Sequence, residues 1–347
     1  MVDIGVFDWV DFSDKTPPTQ LFGERLGLTS LADELGFARY HVAEHHFTPL
    51  GGAPSPSVWL AAVARETARI RLGPLVYLLP LYDPLRLIEE IAMIDHLSNG
   101  RLDLGVGRGV SPYELGHFGA DPATSRAVFE ETLEILVKGL TNDTLTHVGT
   151  TRPSYDGVPM ELHTVQQPYP PLWHATTSPE GLAWAGAHGM NLMGLGPASL
   201  FGEAVAGYKQ ALERNRTLES KGGNPVRFNA HVTEPTIGMM RQVIIADTDA
   251  EAEKLLADTF DQWQHSFVKL WLANDDVPTS GIPTVERFRA AGALICGSPE
   301  TVRKGLAQAI EEGGLNYLAI TFAWGSIGRD DAARSMRLFA DEVMPHL

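Results

Sequence analysis

Residues 39–47, RYHVAEHHF, pass from β-forming and apolar side chains into one carboxylate and two imidazoles. Folds with a central parallel sheet place their chemistry at the carboxyl ends of strands. Glu44, His45 and His46 are therefore candidates for a metal site or an acid/base site. Neighbouring residues on a strand point to opposite faces, so the two rings cannot easily bind one ion, and no H-x-H pair is present. No metal is expected. A single imidazole facing a site serves as acid, base or hydrogen-bond donor. The bland alternative is a strand-end residue that caps a helix or faces water.

A second candidate is LGVGRGVSP, residues 104–112. Gly105, Gly107 and Gly109 alternate, so the dinucleotide fingerprint G-x-G-x-x-G is not met, and no helical pattern follows at once. The glycines allow close backbone approach, and Arg108 supplies a cation among them. That combination suits one phosphate, although a tight turn with a solvated arginine reads the same way. A third is ATTSPEG, residues 175–181, where Thr176, Thr177 and Ser178 precede Pro179 at a helix start. This is either plain N-capping or a phosphate cup of hydroxyls and free N–H groups. Asp8, Trp9 and Tyr77 also fall at strand ends. Trp9, Tyr77, Trp173, Met193 and Trp324 could line a pocket for an apolar or aromatic compound, or simply pack.

The elements that must position these residues alternate along the chain. Strand-like runs fall at 3–9, 39–43, 70–78, 101–107, 170–178, 190–196, 236–246 and 315–324, with helical patterns between them. Such alternation means a parallel sheet covered by helices. Eight units point to an α/β fold of the closed (β/α)₈ barrel type, with an open doubly wound sheet as the weaker alternative. No linker divides the chain, so residues 1–347 read as one domain. Residues 144–170 read as a small insertion of short strands and turns. Residues 274–294 are polar and marked by Gly and Pro. They read as an active-site lid or as a surface excursion.

Composition narrows the partners. The net charge of −16 over 347 residues argues against nucleic acid and against anionic membranes. Cys296 is the lone cysteine, which excludes an intrachain disulfide and a cysteine metal site. No signal-peptide pattern opens the sequence, and no apolar window approaches the ~20 residues that span a bilayer. A cytoplasmic protein is expected.

AEHHFTPLG, LVYLLPLYDPLRLIEEIAMIDHLSNGRLDLGVGRG and SMRLFADEVMPHL together resemble the bacterial luciferase-like flavin-dependent monooxygenases, nearly end to end. The resemblance implies a (β/α)₈ barrel with insertions and FMN, in its reduced form FMNH₂, at the barrel mouth. It maps the phosphate clamp onto Arg108, Thr177, Ser178 and the helix start near Gly181 and Leu182. It maps a non-proline cis peptide beneath the flavin ring onto Leu75-Val76, beside Tyr77 and Gly107. His45 falls on the family's catalytic histidine, with Glu44 expected to orient a ring. Two positions depart from the luciferases, which carry a carboxylate at Thr177 and a reactive cysteine at Gly107. Both departures speak against light emission.

The implied activity is that of a two-component monooxygenase. A separate NAD(P)H-dependent flavin reductase supplies FMNH₂, and a flavin C4a-(hydro)peroxide formed with O₂ delivers one oxygen atom to a small organic substrate. Pairing into a homodimer through helices beside the early strands is implied as well. The alternatives are a deazaflavin-dependent hydride-transfer enzyme on the same barrel and a flavin-binding homologue without activity.

Overall fold

The apolar runs pair edge to edge in the order in which the chain supplies them. The computed structural model describes residues 2–13, 15–278 and 281–347. Among these, β1 (Asp3–Asp8), β2 (Arg39–Val42), β3 (Arg71–Pro74), β4 (Tyr77–Leu78), β5 (Leu104–Gly107), β8 (Leu172–Ala175), β9 (Asn191–Gly194), β10 (Ile237–Ile245) and β12 (Tyr317–Thr321) form one parallel sheet. β12 pairs back onto β1, with Asp3 opposite Tyr317. Leu72 bridges to Leu102 and Tyr77 pairs with Val106, which closes the ring between its two ends. The fold is the (β/α)₈ barrel expected from the sequence.

One strand position differs from the sequence reading. The run at 70–78 is split into β3 and β4 by a cis Leu75-Val76 peptide. β3 pairs with β2, and β4 pairs with β5. A further strand, β11 (Leu294–Gly297), lies outside the ring and pairs with the carboxyl half of β10.

Period-two alternation divides the core into two parts. Ile4, Val6, Tyr40, Val42, Leu72, Leu104, Val106, Leu318 and Ile320 face outward and pack beneath the helices. Phe7, Leu75, Trp173, Met193, Met240, Tyr317 and Ala319 fill the barrel. The covering helices include α1 (Pro18–Leu35), α2 (Pro56–Glu66), α3 (Pro84–Leu97), α4 (Pro112–His117), α5 (Ser125–Thr141), α6 (Pro179–His188), α7 (Ala198–Ser220), α8 (Asp249–Leu272), α9 (Val285–Ala290), α10 (Pro299–Gly313) and α11 (Arg329–Glu342). Several start at a capping side chain followed by proline. At α3 the Arg86 N–H donates to Asp83 Oδ1, and Pro84 takes the first position, where its missing N–H costs nothing.

Within residues 144–170, β6 (Thr144–His147) and β7 (Tyr155–Pro159) form an antiparallel pair. Glu131 of α5 anchors it, accepting from His147 Nε2 and from the backbone N–H groups of Thr150 and Thr151. Against the opposing pull of desolvation, the Thr151 hydroxyl, His147 and the Thr150 hydroxyl and N–H hold the Glu131 carboxyl far below its usual range. In the 274–294 stretch, residues 285–290 are helix α9. Its Phe288 packs against Phe260 and Trp263, so this part is not a loop. Thr279 and Ser280 lie outside the described residues.

Candidate active site

β2 ends at Val42, and the chain then lays Glu44, His45 and His46 along the carboxyl rim of the barrel. Phe47 adopts a φ of 60°, which turns the backbone away. Glu44 is buried, and three donors converge on it. His46 Nε2 lies 2.9 Å from Oε1, and the Leu78 N–H and the Tyr82 hydroxyl donate to Oε2 at 3.0 and 2.9 Å. Burial pushes the Glu44 carboxyl above its usual range, and the three donors pull it partly back. His46 is buried between this carboxylate and the edge of Phe118.

His45 takes a different partner. Its Nδ1 lies 3.1 Å from Glu114 Oε1, and its side chain keeps 22% exposure, whereas the carboxylate is buried. The two rings thus engage separate carboxylates. Among the described residues no group of three or more potential ligands could hold a metal ion.

Sequence reasoning missed Glu114 and the helix that carries it. A helix does begin at once after the glycine stretch: the Glu114 N–H donates to Ser111 Oγ, and Pro112 takes the first position of α4. Six residues are too few to show a helical period. The available signal was Ser111-x-x-Glu114, the spacing of a capping box.

Arg108 directly follows β5 and is exposed, with no hydrogen bond or ion pair to another described residue. Gly107 beside it has a steric reason. A Cβ there would stand 2.3 Å from Val76 Cγ2, so no side chain fits while Val76 keeps its place. A cysteine there, as in the luciferases, would require Val76 to move.

β8 is the neighbour of β5, so Thr177 and Ser178 arise one strand away from Arg108. Ser178 caps α6, its Oγ accepting from the Gly181 N–H at 3.0 Å. Gly181 lets the helix start approach Thr176, whose Oγ would lie 2.3 Å from an added Cβ. Thr177 is exposed, and Leu182 is buried in the outer core with its N–H bonded to the Ser178 carbonyl.

Other strand-end candidates turn elsewhere. The Tyr77 ring faces outward, with its hydroxyl 2.9 Å from that of Ser57 and its ring against Tyr82. Asp8 also faces outward and accepts from Arg25 and Tyr40. Arg25 binds Asp11 too, and burial raises the Asp11 carboxyl to about 6 against the pull of that guanidinium.

Trp9 and Trp324 do gather over the carboxyl end, packed around Trp263 of α8, and Met193 joins the same inner cluster. Trp173 sits deeper, against His41 and Tyr317 and near the Arg39 guanidinium. His41 is fully buried. Its two ring nitrogens have no hydrogen-bond partner among the described residues, and burial lowers its pKa to about 3.

The sequence matches the family model for luciferase-like monooxygenases over residues 2–317. The chain belongs to the luciferase-like monooxygenase family. The uncharacterized protein y4wF of Sinorhizobium fredii is 36% identical across 98% of this chain and 96% of its own. The oxygenase component of the flavin-dependent trigonelline monooxygenase of Acinetobacter baylyi is 26% identical across 96% and 92%. The solved oxygenating constituent of 3,6-diketocamphane monooxygenase from Pseudomonas putida, a type II Baeyer-Villiger enzyme in complex with FMN, superposes with a TM-score of 0.78. It covers 100% of this chain and 98% of that one at 21% identity, a likeness of fold. Among the described residues no helix is long and apolar enough to cross a membrane.

Proposed function

We propose that the protein is the oxygenase component of a two-component system. It takes reduced FMN from a separate NAD(P)H-dependent flavin reductase and O₂ from solution. One oxygen atom goes into a small organic substrate, the other leaves as water, and oxidised FMN departs.

The observation that carries this reading is the rim from β4 to β8. There an unpartnered Arg108 stands between glycines, next to a hydroxyl-rich helix start and within the same rim as the His45–Glu114 pair. These residues fit FMN. Arg108 offers a charge-assisted clamp for one phosphate, and Thr177 and the α6 start offer uncharged donors. The bare Gly107 lets β5 lie close against Val76, which carries the Leu75-Val76 peptide expected beneath a planar ring. When bound, the reduced flavin supplies the electrons that activate O₂. The chain's own part is to bind, to orient and to exclude water, for which the Trp9, Trp263 and Trp324 cluster is suited. His45 would hold or pass a proton at Nε2, while Glu44 fixes His46 and the β4 backbone.

The FMN complex of the diketocamphane enzyme and the oxygenase-component status of the trigonelline enzyme support the cofactor and the reductase partner. A deazaflavin with a long anionic tail would want a more basic groove than a chain of net charge −16 suggests. Retention of His45, Glu44 and Arg108 disfavours a site that has lost activity.

A homodimer is part of the proposal. Exposed Val58 on α2, Met93 and Leu97 on α3, and Leu162 and Val165 beside them supply apolar surface for self-pairing. Light scattering should give about twice the monomer's 37.8 kDa; a monomer at micromolar concentration would refute it.

The test supplies FMNH₂ from a generic reductase and follows oxygen uptake. A panel of small organic compounds is screened for products one oxygen atom heavier by mass spectrometry. His45→Ala should keep FMNH₂ binding and slow turnover by ~10²–10⁴-fold. Tight binding of a deazaflavin without FMN binding, or no oxygen uptake above free FMNH₂, would overturn the reading.

A further inference from the structure

His45 Nδ1 and Glu114 Oε1 are 3.1 Å apart, yet the residues lie 69 positions apart in sequence. Building on the acid/base reading of His45, we propose that Glu114 is a positioning residue. It holds the His45 proton on Nδ1, so that Nε2 is the bare nitrogen presented to the rim.

Three observations carry this. An ionised carboxylate only accepts, so the ring nitrogen facing it must carry hydrogen. His45 is the sole hydrogen-bonding partner of the Glu114 carboxylate among the described residues, and that carboxylate is buried. A buried acceptor without a donor is costly, so the imidazole N–H and the carboxylate each satisfy the other. Glu114 has no second task that would explain its burial. Glu44, in contrast, serves three donors and belongs to His46.

The carrier of Glu114 is fastened at its amino end, on either side of Pro112. Ser111 caps α4, and the Tyr113 hydroxyl donates to Asp276 at 2.7 Å while its ring packs edge-on against Trp271. A ring held through one nitrogen keeps its orientation as well as its tautomer; the comparable outer partners of metal-bound histidines change affinity or activity by ~10–100-fold when lost.

The test reads the tautomer directly. Protein labelled with ¹⁵N-histidine, free of flavin at pH 8, gives long-range ¹H–¹⁵N correlations in which the two neutral tautomers differ. His45→Gln assigns the signal. The parent should show His45 protonated on Nδ1, and Glu114→Gln should move it to a mixture or to the Nε2–H form. With FMNH₂ supplied, Glu114→Gln should lower kcat for oxygen uptake ~10–100-fold and leave FMNH₂ affinity within about twofold. Adding His45→Ala to Glu114→Gln should cost no more than His45→Ala alone.

An Nε2–H form in the parent overturns the proposal, and so does a tautomer that Glu114→Gln leaves in place. If Glu114→Gln does not fold, the parent spectrum decides alone. If the parent binds no FMNH₂, the oxygenase reading fails, whereas the flavin-free tautomer still decides the role of Glu114.

Discussion

The Glu44 carboxylate accepts from the backbone N–H of Leu78 at 3.0 Å, which ties the chain leaving β2 to β4. The residue that precedes the paired histidines thus also holds the strand on the far side of the Leu75-Val76 peptide. Tyr82 and His46 complete its donors, so one buried carboxylate fastens three segments of the rim.

Glu44→Ala would leave the Leu78 N–H, the Tyr82 hydroxyl and a His46 nitrogen without their acceptor. Unpaired buried groups cost ~1–3 kcal/mol each, and relaxation recovers part of that. Unfolding by urea should show a loss on the order of 3 kcal/mol, and Glu44→Gln should lose less because one acceptor oxygen remains. Equal stability of parent and Glu44→Ala would remove Glu44 from this role.

Arg108→Ala should weaken FMNH₂ binding at least ~10-fold with the fold intact, since a charged hydrogen bond to phosphate contributes ~1.5–3 kcal/mol. Exposure of Arg108 makes a folding defect an unsuitable explanation. An anaerobic titration with unchanged affinity would place the phosphate elsewhere.

The stretch from Ala273 to Thr284 joins α8 to α9, and Asp276 reaches Tyr113 beside Glu114. If this stretch acts as a lid, detaching it by Tyr113→Phe with Asp276→Ala should leave FMNH₂ binding nearly intact. Hydrogen peroxide should rise at the expense of oxygenated product, because water reaches the reacting centre. An unchanged peroxide-to-product ratio would return the stretch to a surface loop.

His41 provides a pH dependence of stability. Burial, with Arg39 and Arg71 adding to it and Asp103 opposing, lowers its pKa from 6.5 to about 3. The unfolded chain therefore binds more protons between those values, and stability must fall as pH drops through 6.5 toward 3. The full shift corresponds to a loss on the order of 5 kcal/mol. His41→Phe should flatten the stability profile measured by urea unfolding between pH 4 and 6.5. An identical slope in the variant would contradict the burial of a neutral ring.

Much of the barrel was legible because it rests on local periodicity. The runs at 3–9, 39–43 and 315–324 carry the alternation that makes strands, and the helices between them oblige parallel pairing. Glu44-His45-His46 and Gly107-Arg108 stood out because their residue types are unusual at strand ends. The steric need for Gly107 was not legible, since Val76, just before β4, meets it from the neighbouring strand, 31 positions earlier in sequence.

The sequence by itself determined the order of the barrel strands and of the long helices between them, because those follow from contacts a few residues long. Only the tertiary structure decided that Tyr77 faces Ser57 rather than a pocket, that Trp173 lies deep against His41, and that His45 meets Glu114 while His46 meets Glu44. A side chain's partner depends on strand register and on the angle at which distant segments cross. α4, six residues long, is too short to show a helical period; its cap, Ser111-x-x-Glu114, is the one local mark of it, and its place is set by contacts to residues more than a hundred positions away.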